Sequence, residues 1–92
     1  MRHTVHDDRI IWNAAFTPDT EETELVRRAI VDLGLCTRDA VVRAVAEELC
    51  ARDCRRAGGV DGFGLFRAWY VTGVNRLLDR LDGSAIVIEP MR

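Results

Sequence analysis

Leu25-Val26-Arg27-Arg28-Ala29-Ile30-Val31-Asp32-Leu33-Gly34, resuming after Leu35 as Cys36-Thr37-Arg38-Asp39-Ala40-Val41-Val42-Arg43-Ala44-Val45-Ala46-Glu47-Glu48-Leu49, decides the fold of this chain. In the first half Leu25, Val26, Ala29, Ile30 and Leu33 recur at helical spacing and make one apolar stripe, which Gly34 ends as a left-handed cap. Upstream, Thr17 or Thr20 can accept the free amide hydrogens of the first turn, and Asp19, Glu21, Glu22 and Glu24 lie against its positive dipole end. In the second half Thr37-Arg38-Asp39 opens a helix whose apolar positions are Val41, Val42, Val45, Leu49 and, at its edge, Cys50. That helix dissolves into Arg55-Arg56-Ala57-Gly58-Gly59.

Working outward, residues 9–16 alternate: Ile10, Trp12, Ala14 and Phe16 share one parity, and Arg9, Ile11, Asn13 and Ala15 the other. This predicts a short strand with one apolar face, broken by Thr17-Pro18-Asp19. Downstream, the glycine-rich residues 58–64 predict a hinge. A third helix is expected over residues 65–81, with Phe66, Trp69, Tyr70, Val74, Leu77 and Leu81 at helical spacing. Asp82-Gly83-Ser84 stops it, and residues 85–88 read as a final strand ended by Glu89-Pro90. The expected architecture is α+β and mainly α, in one domain: a strand-helix-helix unit over 9–57, a hinge over 58–64, and a helix-plus-strand extension over 65–90.

In element order and in wording, residues 9–53 resemble the ribbon-helix-helix DNA-binding family, and residues 25–49 resemble the helix-turn-helix half of the VapB-type antitoxins. In that group a small residue stands next but one after the turn glycine, here Cys36. An Ala-Val/Ile-Arg-Arg-Ala-Leu run follows, here Ala40-Val41-Val42-Arg43-Ala44-Val45. The resemblance implies a homodimer whose two amino-terminal strands pair into a ribbon in the DNA major groove, with the second helix's amino terminus on a phosphate. Carried over to this chain, it turns Arg9, Ile11 and Asn13 to the groove, where an Arg and an Asn make bidentate contacts to guanine and adenine edges. It sets Thr37 and Arg38 at the phosphate.

Residues 65–90 would then receive a protein partner such as a cognate toxin, through Phe66, Trp69, Tyr70 and Val74, or would simply complete the core. The function so implied is a small dimeric transcriptional regulator of antitoxin type. The alternative is an interaction module without DNA affinity, such as a phage-encoded inhibitor or adaptor, in which strands 10–16 and 85–88 pair with each other beside three helices.

Composition bounds both readings. A chain of 92 residues buries only about 60–65 % of its unfolded surface, so its core is thin and dimerisation is an expected remedy. With a formal charge of −2, a nucleic-acid surface would have to be local, and residues 1–56 carry nine Arg against eleven acidic residues. All 13 basic side chains are Arg, the usage of a GC-rich coding sequence and hence of a bacterium or its phage. Three cysteines, with no apolar run after Met1-Arg2-His3, predict reduced thiols and a cytoplasmic location. No stretch approaches the roughly 20 apolar residues needed to span a bilayer.

Cys50 and Cys54, at i, i+4, could share a metal with Cys36, His3 or His6. A four-ligand zinc set is not evident, so neither metal nor cofactor is expected. Residues 58–64 lack the Gly-Lys-Ser/Thr of a phosphate loop, and the one serine, Ser84, has no spacing that suggests a triad. No enzymatic activity is expected.

Overall fold

The computed structural model describes residues 8–34, 37–56 and 63–89, in the order β1 (Arg9–Trp12), α1 (Glu21–Leu33), α2 (Arg38–Arg56), α3 (Phe63–Leu81) and β2 (Ile86–Glu89). The chain is mainly helical, with two short antiparallel strands at its ends, which is the expected fold class. His3, His6, Cys36 and hinge residues 58–62 lie outside the described residues. Phe63 and Gly64, expected in the hinge, instead form the first turn of α3.

Local chemistry sets the ends of α1. Thr20, not Thr17, is the cap: its Oγ1 accepts from the Thr23 amide at 3.1 Å and donates to the Thr23 hydroxyl at 2.7 Å, so the one buried polar side chain of α1 is satisfied. At the other end Gly34 takes φ 70° and donates its amide hydrogen to the Ile30 carbonyl at 3.1 Å, a conformation that costs glycine little. Replacing Thr20 by alanine is expected to remove about 1 kcal/mol of stability, read as a lowered urea midpoint with unchanged slope. No change would mean that the cap is dispensable.

One hydrophobic core draws on all five elements: Ile10 from β1, Leu25, Val26 and Ile30 from α1, Val41, Val42, Val45 and Ala46 from α2, Val74, Leu77, Leu78 and Leu81 from α3, and Ile86 from β2. Leu33, expected in the α1 stripe, is exposed, whereas Leu78, absent from the expected α3 stripe, is fully buried. Phe66 and Trp69, expected in the same stripe, are exposed. Trp69 lies across the helix from Val74 and Leu78, whereas Phe66 stands two turns before Val74, the first buried residue of α3 among the described ones.

The strands close this core from one side. β1 and β2 pair antiparallel within the chain, Arg9 with Glu89, Ile10 with Ile88, Ile11 with Val87 and Trp12 with Ile86. Ile10 and Ile86 face inward as the parity predicts, and Ile11 and Val87 face out. The strand ends at Trp12, not Phe16. There Asn13 turns the chain, its amide nitrogen donating to the Ala85 carbonyl and its Nδ2 to the Ser84 carbonyl, both at 2.8 Å, while its Oδ1 accepts from the Ala15 amide.

This pairing differs from the ribbon-helix-helix arrangement, in which β1 would pair with β1 of a second chain. Here one edge of β1 is taken by β2, and the other is bridged at Arg9 to Thr37, where the Arg38 amide donates to the Asp8 carbonyl at 2.6 Å. The physical reason lies in the carboxy-terminal extension. The Gly83 turn, at φ 90°, returns an apolar strand to β1 that buries Ile86 completely.

Candidate functional site

The first half of α3 presents an apolar surface to water. Leu65, Phe66 and Trp69 are 86 %, 56 % and 70 % exposed, three large side chains within five residues of one another. The same helix buries Val74, Leu77, Leu78 and Leu81 beyond Tyr70, so its outer and inner faces are both apolar, one at each end. Single exposed apolar residues need no explanation, but a contiguous group rimmed by charge marks a contact surface.

Beside this face runs an open groove of about 1010 Å³, floored by Leu49, Val74 and Leu77 and edged by Trp69, Tyr70 and Gly73. Its rim carries Glu22 and Asp53 on one side and Arg76 and Arg80 on the other. Trp69 and Tyr70 meet edge to face, with ring centroids 4.9 Å apart. The Tyr70 hydroxyl donates to Asp53 Oδ2 at 2.6 Å and fixes the ring against the last turns of α2.

That hydrogen bond to the Asp53 carboxylate, then burial, then the nearby charges of Asp53, Cys50 and Cys54 hold the Tyr70 phenol well above its ordinary range. A raised value in the folded state means that the bond's stabilisation is whole below the free-tyrosine value of about 10 and is lost as pH rises through the folded one. Tyr70 is the one tyrosine of the chain, so tyrosinate absorbance reports it directly. Its titration is expected above the free value, and Asp53→Asn should bring it back toward about 10. An ordinary midpoint in the parent protein would exclude the bond.

Of the four expected partner contacts, Phe66 and Trp69 are exposed, Tyr70 is half-buried in the groove wall, and Val74 is only 1 % exposed. Val74 is thus corrected to a core residue: one turn beyond Tyr70, it falls on the helix face that packs into the core. Leu65 and Leu49 also belong to the surface, outside the four expected contacts. Plotting α3 as a wheel separates the Leu65-Trp69 arc from the Val74-Leu78 arc, and that was the available signal.

Three of the residues expected at DNA are engaged within the chain. Arg38 reaches across to α3, donating from Nε to Asn75 Oδ1 at 3.1 Å and from Nη2 to the Asn75 carbonyl at 3.2 Å and to Asp79 Oδ1 at 2.8 Å. Thr37 accepts at Oγ1 from the Ala40 amide and opens α2. Asn13 ties the end of β1 to the turn before β2. Arg9 is exposed on the outer face of the sheet, opposite Glu89.

No protein-family model, curated protein or solved structure matches the chain. The surface itself therefore carries the functional reading. Among the described residues no helix is long and apolar enough to cross a membrane. No disulfide joins Cys50 and Cys54, whose sulfurs are 3.7 Å apart, and no group of three or more potential metal-ligating side chains gathers among the described residues.

Proposed function

We propose that this chain is a small protein-interaction module whose docking surface is the outer face of α3 and the groove beside it. The observation that carries the reading is the exposure of Leu65, Phe66 and Trp69 together on a helix whose other face is already anchored in the core. A rigid, pre-positioned aromatic pair loses little conformational freedom on binding, and tryptophan and tyrosine are the side chains that most often dominate interface energetics. The Glu22, Asp53, Arg76 and Arg80 rim supplies the polar ring that orients a partner.

Two further observations favour this reading over a ribbon-type DNA regulator or antitoxin. β1 is paired with β2 of its own chain, and Arg38 is engaged by α3 rather than held out toward a phosphate. A photocrosslinking amino acid at position 66, in cells that make the protein, is expected to give a light-dependent adduct that Trp69→Glu abolishes. Absence of any adduct would overturn the reading, and strong, salt-sensitive binding of the purified chain to DNA would restore the regulator in its place.

A further inference from the structure

Resting on that reading, we infer that the occupant of the α3 face is a second copy of the chain, the two α3 helices packing antiparallel about a two-fold axis with Trp69 of each against Gly73 of the other. Leu65, Trp69, Thr72 and Arg76 are all exposed and follow one another at intervals of four, three and four residues, the spacing of a helix-helix seam.

The seam is asymmetric along its length. Its first half is apolar, with Leu65, Phe66 and Trp69, and its second half ends in Arg76 and Arg80. A parallel pair would set Arg76 against Arg76 and Arg80 against Arg80, which repel. An antiparallel pair with Trp69 opposite Gly73 instead lays the Arg76 stem over Phe66 of the second copy, a favourable cation–π arrangement.

Gly73 completes the match. No atom lies within 4 Å of where its Cβ would stand, so the helix has an open recess one turn from the projecting Trp69 ring. A knob and a recess on the same face, one turn apart, are what a self-complementary two-fold contact requires. With roughly 150–250 Å² per large side chain, the exposed fractions of Leu65, Phe66 and Trp69 place on the order of 450 Å² of apolar surface in water. Counted on both copies, with Thr72, Gly73 and the arginine stems added, this reaches the roughly 1,000 Å² total that a specific interface needs.

Light scattering on the purified full chain over a concentration series tests the inference. The expected molar mass is twice the 10.4 kDa of one chain at submillimolar concentration. Trp69→Glu should raise the dimer dissociation constant by about thirtyfold or more. Gly73→Leu, which meets open space in its own chain, should weaken the dimer by at least about tenfold. Circular dichroism is expected to show both variants folded.

A monomeric parent overturns the inference, and a dimer that Trp69→Glu leaves intact does the same. A dimer lost in Trp69→Glu but untouched by Gly73→Leu overturns the antiparallel pairing. A position-66 adduct to a different protein, with the pure chain monomeric, removes self-association alone, whereas no adduct and no dimer removes the docking reading as well.

Discussion

Leu78→Ala is expected to cost about 2–5 kcal/mol of folding stability, a large share of what a chain of this length possesses. Leu78 is fully buried in the cluster shared by all five elements, on the helix whose inner face closes the core against α2. Truncation loses the transfer energy of its methyl groups and leaves a void that neighbours held from α1, α2 and β2 cannot readily fill. Urea unfolding should show a lower midpoint with little change in slope. The contrast is Leu65→Ala on the same helix, 86 % exposed, which should shift stability by less than about 0.5 kcal/mol. Equal effects from the two substitutions would mean that the inner and outer faces of α3 have been assigned wrongly.

Arg38→Ala is expected to cost about 2 kcal/mol and to lower the thermal midpoint by about 10 °C. The guanidinium side chain is 13 % exposed and makes three hydrogen bonds from the first residue of α2 to α3. Its bond to Asp79 adds little, because that carboxylate is 67 % exposed and well screened. The two bonds to Asn75, partly shielded from water, carry most of the effect, and Asn75 is itself held by donating from Nδ2 to the Val71 carbonyl at 3.0 Å. Lysine should restore only part of the loss, since an ammonium cannot reach Asn75 and Asp79 with the same fork. A phosphate-binding arginine would behave oppositely, leaving stability intact while weakening nucleic-acid binding, so unchanged unfolding in Arg38→Ala would contradict the clamp.

Much of this fold is legible in the sequence because its signals are local. Glu21, Glu22 and Glu24 beside a threonine cap, Gly34 after the last turn of α1, and the alternation of Ile10 and Trp12 each act through neighbours in the chain. The partner of β1 is not a local matter. The parity of residues 9–12 makes one apolar face whether the strand pairs with a second chain or with residues 86–89. What selects β2 is the Gly83 turn together with the burial of Ile86 in the shared core, a tertiary term that no window of sequence contains.

The candidate surface was legible in part for the same reason. Phe66 and Trp69 stand out as aromatics, and a wheel sets Trp69 across the helix from Leu78, but it sets Phe66 beside Leu77 on the core side. Where the core ends along α3, which leaves Phe66 exposed, is a tertiary matter. Arg38 illustrates the converse. Its place at the start of α2 suits an anion, yet α3 brings Asn75 and Asp79 within reach and consumes its donors. No motif spacing connects residues 38 and 75.

Isotope-filtered NOE spectroscopy on an equal mixture of labelled and unlabelled chains addresses strand pairing and docking together. Because the Asn13 amide bonds to the Ala85 carbonyl, the Ile10–Ile88 and Trp12–Ile86 pairs are the close, non-hydrogen-bonded ones, with backbones roughly 4.5 Å apart. Their cross-strand NOEs are predicted to arise only within one chain, and any interchain NOEs to fall on Leu65, Trp69 and Gly73. Interchain NOEs joining the β1 strands of two chains would contradict the fold and the function proposed from it.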